Sequence, residues 1–337
     1  MDANASQSSS ARSRLLLISP FFLWGTAMVA MKGVIPLTTP FFLAGVRLLP
    51  AGFLVLLAAV WMGRPQPKTW QAWLWISLFA LVDGTLFQGF LAQGLMRTGA
   101  GLGSVMIDSQ PLAVALMARF LFGEQVGSLG WLGLLFGIVG ISLLGIPDEW
   151  LTALAVGQTD WLGGQSLLEA LLSRGEWLML LAALSMAVGT VLIRYVCRHA
   201  DPVAATGWHM VIGGLPLLLL SGLGETNQWQ ALGLSDWMAV AYSTILGSAI
   251  AYGVFFLLAS KGNLTSLSAL TFLTPVFALL FGNLFLGEVL SPLQWVGVGF
   301  TLVSIYFINQ REVLLANLRQ LFAGFTGKPA SSSDTPS

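Results

Sequence analysis

Long apolar stretches separated by short polar segments make up most of the chain. A helix needs about 20 apolar residues to cross roughly 30 Å of hydrocarbon, so each stretch of about that length predicts a membrane span. The fold class predicted is therefore an all-α membrane protein with ten transmembrane helices. The predicted spans are residues 15–34, 40–62, 71–96, 102–122, 129–146, 177–198, 203–223, 237–260, 265–286 and 292–309.

The composition agrees with this pattern and excludes several other classes. Hydrophobic residues make up 56% of the 337 residues and charged residues only 9%, whereas a soluble domain exposes far more charge. The formal net charge is zero, so no overall field attracts nucleic acid or acidic substrates. The single cysteine, Cys197, allows neither a disulfide framework nor a thiolate metal site. We expect no metal and no cofactor.

The distribution of charge predicts the orientation in the bilayer. With the N-terminus inside, only Lys32, Arg97 and Arg174 fall at the outer edge and Arg47 lies within a span. The other eleven of the 15 basic residues lie on or near the inner side, so the positive-inside rule places both termini in the cytoplasm. We expect the membrane to be a bacterial plasma (inner) membrane. Tryptophans at the starts of spans are expected to anchor them at the interface, namely Trp70, Trp73, Trp131, Trp177, Trp237 and Trp295.

The remaining segments complete the domain prediction. Residues 1–14 are a polar cytoplasmic tail, and residues 147–176 are an acidic extracytoplasmic loop with apolar patches. Residues 311–337 contain an amphipathic inner-surface helix followed by a disordered tail. Between these segments lie two five-helix units, residues 15–146 and 177–310.

The two five-helix units are related by an internal repeat. A shift of 164 residues aligns many identical residues, without a gap in the later part. Each half holds five predicted spans, an odd number, so the second half must enter the membrane from the opposite side, as in the inverted repeats of many secondary transporters. The aligned residues include Gly25, Thr26, Trp73, Gly89, Pro111, Gly123, Glu124, Trp131 and Phe136, with Gly189, Thr190, Trp237, Gly253, Pro275, Gly287, Glu288, Trp295 and Phe300.

These repeated motifs resemble the drug/metabolite transporter superfamily, EamA type. The matching features are Trp24-Gly25-Thr26 in the first span, Pro40 and Arg47 in the second, and the blocks ending at Glu124 and Glu288. The resemblance covers about residues 15–310. It is strongest with cyanobacterial and plastid members, through the runs from Gly101 to Pro111 and from Gly207 to Met210. The resemblance implies a metabolite transporter but does not define its substrate.

Ionisable side chains inside a bilayer are costly, so each needs a partner, water or a function. Arg47 and Asp108 lie at similar depth in spans two and four, which allows an ion pair between them. Asp83 lies near the middle of span three, where transporter sites usually lie, and a buried acid without a cation would suit proton coupling. His209 is expected nearer the cytoplasmic face of span seven.

The repeat shows that the fold does not require the two acids. Under the 164-residue shift, Asp83 aligns with Gly247 and Asp108 with Phe272. Either acid could therefore handle substrate or protons, or belong to a structural pair buried between helices.

Uncharged polar and aromatic side chains are further candidates for substrate binding. The alternative interpretation is that they form hydrogen bonds that hold neighbouring helices together. Pro111 and Pro275 interrupt spans four and nine at matching places and are candidate hinges. Glu124 and Glu288 are expected to cap or pair at the membrane interface. The polar and aromatic candidates are Gln88, Gln93, Gln110, Trp208, Tyr252 and Thr274, with His209.

Three function classes follow from these observations. A secondary transporter, an exporter of amino acids or drug-like solutes by alternating access around a midplane cavity, fits the repeat best. An intramembrane enzyme acting on a lipid or prenyl substrate would need a facing nucleophile and base or a carboxylate cluster, which the spacing does not supply. A passive channel would need a charged or carbonyl ring, which is equally lacking. The expected partners are a small-molecule substrate and the lipid bilayer, with no nucleic acid.

Overall fold

The computed structural model describes residues 2–31, 33–97, 107–145, 176–286 and 291–310, and this part of the chain is helical without strands. In chain order, the first half contains α1 (Asp2–Met31), α2 (Pro40–Trp61), α3 (Trp70–Leu95), α4 (Gln110–Phe122) and α5 (Gly127–Gly145). The second half contains α6 (Glu176–Val196), α7 (Pro202–Gly224), α8 (Leu234–Ala259), α9 (Leu264–Ala269, continued as Leu273–Leu286) and α10 (Pro292–Asn309).

These helices follow the predicted spans closely, except that α1 begins at Asp2, within the segment predicted as a polar tail. Seven of them, α2, α3 and α6 to α10, are long and apolar enough to cross a membrane. Three shorter apolar helices, Leu15–Met31, Gln110–Phe122 and Gly127–Leu143, occupy the first, fourth and fifth predicted positions. That all ten cross the bilayer stays a prediction.

Several predicted features fall outside the described residues. These are the beginning of the fourth predicted span, within 98–106, almost all of the loop 147–176, the residues around Glu288, and the amphipathic helix and tail within 311–337.

Local sequence signals fix where the helices begin and end. Asp201 precedes α7 and its carboxylate accepts hydrogen bonds from Val203 N at 2.9 Å and Ala204 N at 3.3 Å. Ser291 and Gln294 form a reciprocal capping box at the start of α10. Gly123 ends α4 in the left-handed conformation, with φ of 69°, which glycine adopts without steric cost.

Equivalent helices of the two halves pack against each other. α2 lies along α7, and α5 lies along α10. At Gly140 in α5, an added Cβ would lie 2.8 Å from Thr301 N and 3.0 Å from Gly297 O of α10, so the two backbones are in close contact. Small residues allow this approach between membrane helices.

Apolar side chains cover the outside of the bundle as well as its core. Leu57, Phe120, Leu223 and Leu284 are between 67% and 79% exposed, which no soluble bundle would tolerate on so many helices. Trp70, Trp177 and Trp295 are exposed near the starts of α3, α6 and α10, as interfacial anchors require.

Candidate functional site

Helices α3 and α8 are both widened by a π-helical segment. The segments are Ala80–Phe87 and Ser243–Ile250, and the 164-residue shift superposes them to within one residue. Single π turns inside α-helices frequently mark functional sites. Because a π turn bonds residues five apart, it also brings Asp83 and Gln88 into line on one side of α3, and both side chains are buried.

The two halves meet at a polar contact between equivalent residues. Gln88 Nε2 donates a hydrogen bond of 2.8 Å to Tyr252 Oη, and the two residues are 164 positions apart. Phe136 and Phe300, also 164 apart, have ring centroids 5.4 Å apart. In a twofold arrangement, residues that touch their own equivalents lie at the axis. A pseudo-twofold axis therefore passes between Gln88 and Tyr252 and between the two phenylalanines.

Aromatic rings and unpartnered polar atoms surround this axis. Trp24 packs edge-on against Tyr252 at 5.2 Å between centroids, and Tyr252 stacks on Phe256 at 5.9 Å. Trp24 Nε1 and Arg47 Nε are buried without a hydrogen-bond partner within the described part of the chain. Since buried polar groups are nearly always satisfied, such atoms indicate where water or a bound solute supplies the partner.

A second buried polar contact joins α3 to α7. Asp83 Oδ2 lies 3.1 Å from His209 Nε2, and the two residues are 1% and 0% exposed. The helices approach closely because Gly84 faces Gly213, where an added Cβ on Gly213 would lie 2.6 Å from Gly84 Cα. Phe79 stacks on the imidazole with centroids 4.0 Å apart and seals it from one side.

The pairing of Asp83 with His209 was not among the predictions from sequence, which placed the two residues at different depths. A signal for it does exist in the repeat. Under the same shift, Asp83 corresponds to Gly247 and His209 to Gly45, so both partners stand where the sister half has glycine. Trp24 and Ser248 were also missed as contributors to the site.

The ion pair that the sequence allows between Arg47 and Asp108 is not formed in the described residues. Arg47 Nη2 instead donates to Ser248 Oγ at 3.3 Å, in the π segment of α8. Asp108 is buried in the turn just before α4 and makes no ion pair with another described residue. Similar depth on two helices therefore did not bring the side chains together, because depth does not determine which face of a helix a residue occupies.

The other polar candidates divide into buried and peripheral groups. Gln110 Nε2 donates to Thr190 Oγ1 at 3.2 Å, and Thr274 Oγ1 is buried without a partner in the described chain. Gln93 accepts from Arg97 Nη2 at 3.2 Å near the end of α3. Trp208 Nε1 donates to Gln66 Oε1 at 2.9 Å in a connecting loop, which places Trp208 near a helix end. Gln93 and Trp208 therefore lie apart from the axis.

The two candidate hinge prolines stand at matching breaks. Asp108 and Ser109 form a turn, and α4 starts at Gln110 with Pro111 in its first turn. In the other half, a 3-10 turn at Leu270–Phe272 precedes Pro275 in α9. The interruptions thus occur where predicted, and a hinge function for them stays a prediction.

Glu124 links the two halves at one end of the bundle, as the sequence predicted for a capping or pairing role. Its carboxylate accepts hydrogen bonds from Leu264 N at 3.0 Å and from Thr265 N at 3.2 Å, at the start of α9. It also pairs with Arg194 Nη2 at 3.1 Å, and the same guanidinium donates to the Gly262 carbonyl. We call Glu124, Arg194 and the first turn of α9 the Glu124 clamp.

A bundle of apolar helices in two related halves, with a buried polar centre on their axis, defines a multi-pass membrane protein of the two-repeat class. Residues 12–146 and 173–310 match the EamA-like transporter family. The chain belongs to this family, which lies in the drug/metabolite transporter superfamily, and it is a membrane transporter.

Relatives and a solved structure agree with this assignment. The chain is 64% identical to an uncharacterised transporter of Synechocystis, over 96% of this chain and 97% of that protein. It is 55% identical to a chloroplastic WAT1-related protein of Arabidopsis thaliana, over 88% of this chain and 69% of that protein. A crystal structure of 20% identity, covering 92% of this chain and 99% of its own, superposes with a TM-score of 0.72 and supports the fold alone.

Proposed function

We propose that this protein is a secondary transporter that exports small organic metabolites, such as amino acids or drug-like solutes, by alternating access. The observation that carries the proposal is the polar contact between Gln88 and Tyr252 on the axis that relates the two halves. Transporters built from repeats bind their substrates near the midplane, where the repeats meet.

The helix count supports an inverted arrangement of the halves. Each family match contains five of the helices described above, and five crossings reverse the side on which the second half begins. We propose repeat boundaries of 15–146 and 177–310 in a bacterial inner membrane, with an extracytoplasmic connecting loop and both termini in the cytoplasm. Accessibility of single cysteines introduced into the connecting loop and the C-terminal tail tests this orientation.

The chemistry at the axis supports an amphipathic solute. The rings of Trp24, Tyr252 and Phe256 supply apolar surface, whereas Arg47 Nε, Trp24 Nε1 and Thr274 Oγ1 supply buried donors and acceptors without partners in the described chain. Ligand sites combine apolar walls with a few polar groups in this way. Asp108, Gln88 and Gln110 are further residues that we propose to bind solute or take part in coupling, and we assign Asp83 to coupling.

The Glu124 clamp supports the alternating part of the mechanism. It joins α4 of the first half to α6 and α9 of the second, so it must break when the halves separate at that end. A contact of this kind stabilises one of two states and is reformed in each cycle.

Reconstitution into liposomes tests the proposal. Purified protein is sealed into vesicles loaded with labelled amino acids and drug-like solutes, and loss of label is followed with and without a pH gradient. Saturable flux with chemically unchanged solute is expected. Converted solute would indicate an enzyme, and flux that never saturates would indicate a channel.

Variants at the axis identify the site. Tyr252→Phe and Gln88→Leu are expected to raise the KM for the transported solute, because both remove a polar group from the axis. Tyr306→Phe is the matched control, since Tyr306 is 54% exposed on α10. Unchanged transport in both axis variants would remove this contact from the mechanism.

A further inference from the structure

Asp83 and His209 are a buried pair of titratable side chains that the fold itself does not require. Their counterparts in the other half are Gly247 and Gly45. The pair also crosses between the halves, because Asp83 belongs to α3 and His209 to α7.

The contacts of the imidazole fix where its protons lie. His209 Nδ1 is 2.6 Å from the carbonyl oxygen of Thr206. A carbonyl can only accept, so Nδ1 carries a hydrogen. In a neutral imidazole the other nitrogen, Nε2, then has a lone pair and no hydrogen.

The contact with Asp83 requires one more proton. Nε2 lies 3.1 Å from Asp83 Oδ2, and an ionised carboxylate is also only an acceptor. Two facing acceptors at that distance repel each other, so a proton must lie between them. The pair then has no net charge, whether the proton is closer to nitrogen or to oxygen.

Losing that proton would leave a net negative charge in a dry environment. Phe79 stacks on the imidazole, Phe256 meets it edge-on at 5.4 Å, and Asp83 and His209 are 1% and 0% exposed, so bulk water does not reach the pair. Asp83 Oδ1 is buried and has no hydrogen-bond partner within the described part of the chain. No ion pair in the described chain joins Asp83 to a lysine or an arginine. An uncompensated buried charge is costly, so proton loss requires the surroundings of the pair to change.

The other titratable side chains on the surrounding helices are already engaged or lie at helix ends. Arg47 of α2 contacts Ser248, Arg194 of α6 pairs with Glu124, and Tyr252 of α8 bonds to Gln88. Others that the structure describes on these helices or at their ends are Tyr195 of α6, stacked on Trp75, Asp201 and Glu225 at the two ends of α7, Arg64 beyond α2, which pairs with Asp201, and Asp236 and Tyr242 of α8.

Packed aromatic rings connect the pair to the axis. Phe256 contacts the imidazole of His209 and also stacks on Tyr252, which in turn packs against Trp24. A solute held at Tyr252 would therefore press on the same rings that keep the pair dry.

We infer that Asp83 and His209 form a one-proton binding site, with the proton held between Oδ2 and Nε2, and that this proton is exchanged for solute during transport. The proton enters from the outer medium, leaves to the cytoplasm, and no other bond changes. The coupling rests on the proposed function, whereas the presence of the proton does not.

Nitrogen-15 NMR of the imidazole tests the proton without any transport. The chain has two histidines, so His199→Gln leaves His209 as the single signal. At pH 7 we expect Nδ1 to be protonated and Nε2 to show a shared proton. In Asp83→Asn on the same background, Nε2 should shift to the position of a neutral, unprotonated nitrogen. Identical Nε2 shifts in the two proteins would overturn the inference.

Flux of a labelled amino-acid mixture from liposomes tests the coupling. An outward-directed solute flux should increase when the receiving side is acidic, and a gradient of one pH unit can support about tenfold accumulation for one proton. Asp83→Asn and His209→Gln should lose this dependence but keep solute-for-solute exchange. His199→Gln should behave like the unmodified chain.

The outcomes separate the two proposals. Saturable flux that ignores the pH gradient overturns the coupling and leaves the transporter proposal intact. No flux of any solute overturns the transporter proposal, and the NMR comparison still decides whether the proton is present. If the single variants unfold, the NMR spectrum of His199→Gln alone reports the protonation of Nε2.

Discussion

The hydroxyl of Tyr252 is the partner of a buried amide donor, Gln88 Nε2. Tyr252→Phe leaves that donor unsatisfied, which costs about 1–3 kcal/mol in the free energy of unfolding. The expected result is a lower melting temperature in detergent, measured by circular dichroism. Adding Gln88→Leu should recover part of the loss, because the orphaned amide is then removed. Melting of Tyr252→Phe at the temperature of the unmodified chain would contradict the prediction.

Cys197 gives a pH-dependent prediction just beyond the span Trp177–Val196, which ends two residues earlier than the sequence predicted. It follows the last residue of α6, and burial raises the pKa of its thiol to about 12. Below that pH the unreactive thiol form dominates, so the maleimide labelling rate should increase about tenfold per pH unit from 7 to 9 without a plateau. His199→Cys in a Cys197→Ser background is the exposed control and should label faster at pH 7. Equal rates for both cysteines at pH 7 would disprove the effect of burial.

At the scale of single residues, the sequence shows which buried positions are polar, but it does not show which of these side chains form hydrogen bonds or ion pairs with each other. Gln88, Asp83 and Tyr252 stand out because polar groups are rare in these spans. Which atoms meet depends on helix rotation and on the close approach of Gly84 to Gly213, and both arise from packing of the whole bundle. This is why Asp83 meets His209 and why Arg47 contacts Ser248 rather than Asp108.

Among the elements, α2 and α9 both begin on a carboxylate from the other half. Glu124 holds the first turn of α9, and Glu225 accepts from Phe41 N at 2.9 Å and Phe42 N at 3.0 Å at the start of α2. Glu124→Gln should cost about 1–3 kcal/mol and increase amide hydrogen exchange at the start of α9. Glu225→Gln is the matched control, and its effect should appear at the start of α2. Exchange at the same segment in both variants would contradict the assignment of the caps.

Helices α5 and α10 offer a pair of glycines with opposite expectations. A Cβ on Gly140 would meet Thr301 N at 2.8 Å, whereas nothing lies within 4 Å of a Cβ on Gly299. Gly140→Ala should therefore lower the free energy of unfolding by about 1–3 kcal/mol, because the two backbones must separate. Gly299→Ala should be neutral or stabilising by up to about 1 kcal/mol. Denaturation in detergent measures both, and equal stability of the two variants would contradict the close contact.

Apart from the start of α1, the described helix boundaries could be predicted from the sequence to within a few residues, because apolar length and caps such as Asp201 determine them. The π segments could not be predicted from the sequence. A π turn arises when the side chains of a helix and its neighbours pack better with one extra residue per turn, which no local pattern signals. Its position at Ala80–Phe87 and again at Ser243–Ile250 shows that it belongs to the repeat.

For the whole molecule, alternating access predicts that holding the Glu124 clamp closed stops transport. Glu124→Cys with Leu264→Cys, in a Cys197→Ser background, places one thiol on each half, at positions where Glu124 Oε1 now accepts from the backbone N of Leu264 at 3.0 Å. A short, reducible thiol cross-linker should abolish flux, and reduction should restore it. Each single-cysteine variant should be unaffected by the reagent. Full flux with the cross-link in place would show that this end does not open.

The pseudo-twofold axis has a consequence for the resting carrier. An amide and a phenol occupy the positions that a perfectly symmetric dimer would fill with two copies of one residue. If the two halves exchanged conformations, the residues around the axis would therefore not form an identical binding site. Under the proposed alternating access, we therefore expect the outward-open and inward-open forms to differ in free energy without any gradient, so that the empty protein favours one side of the membrane and moves the same solute at unequal rates in the two directions.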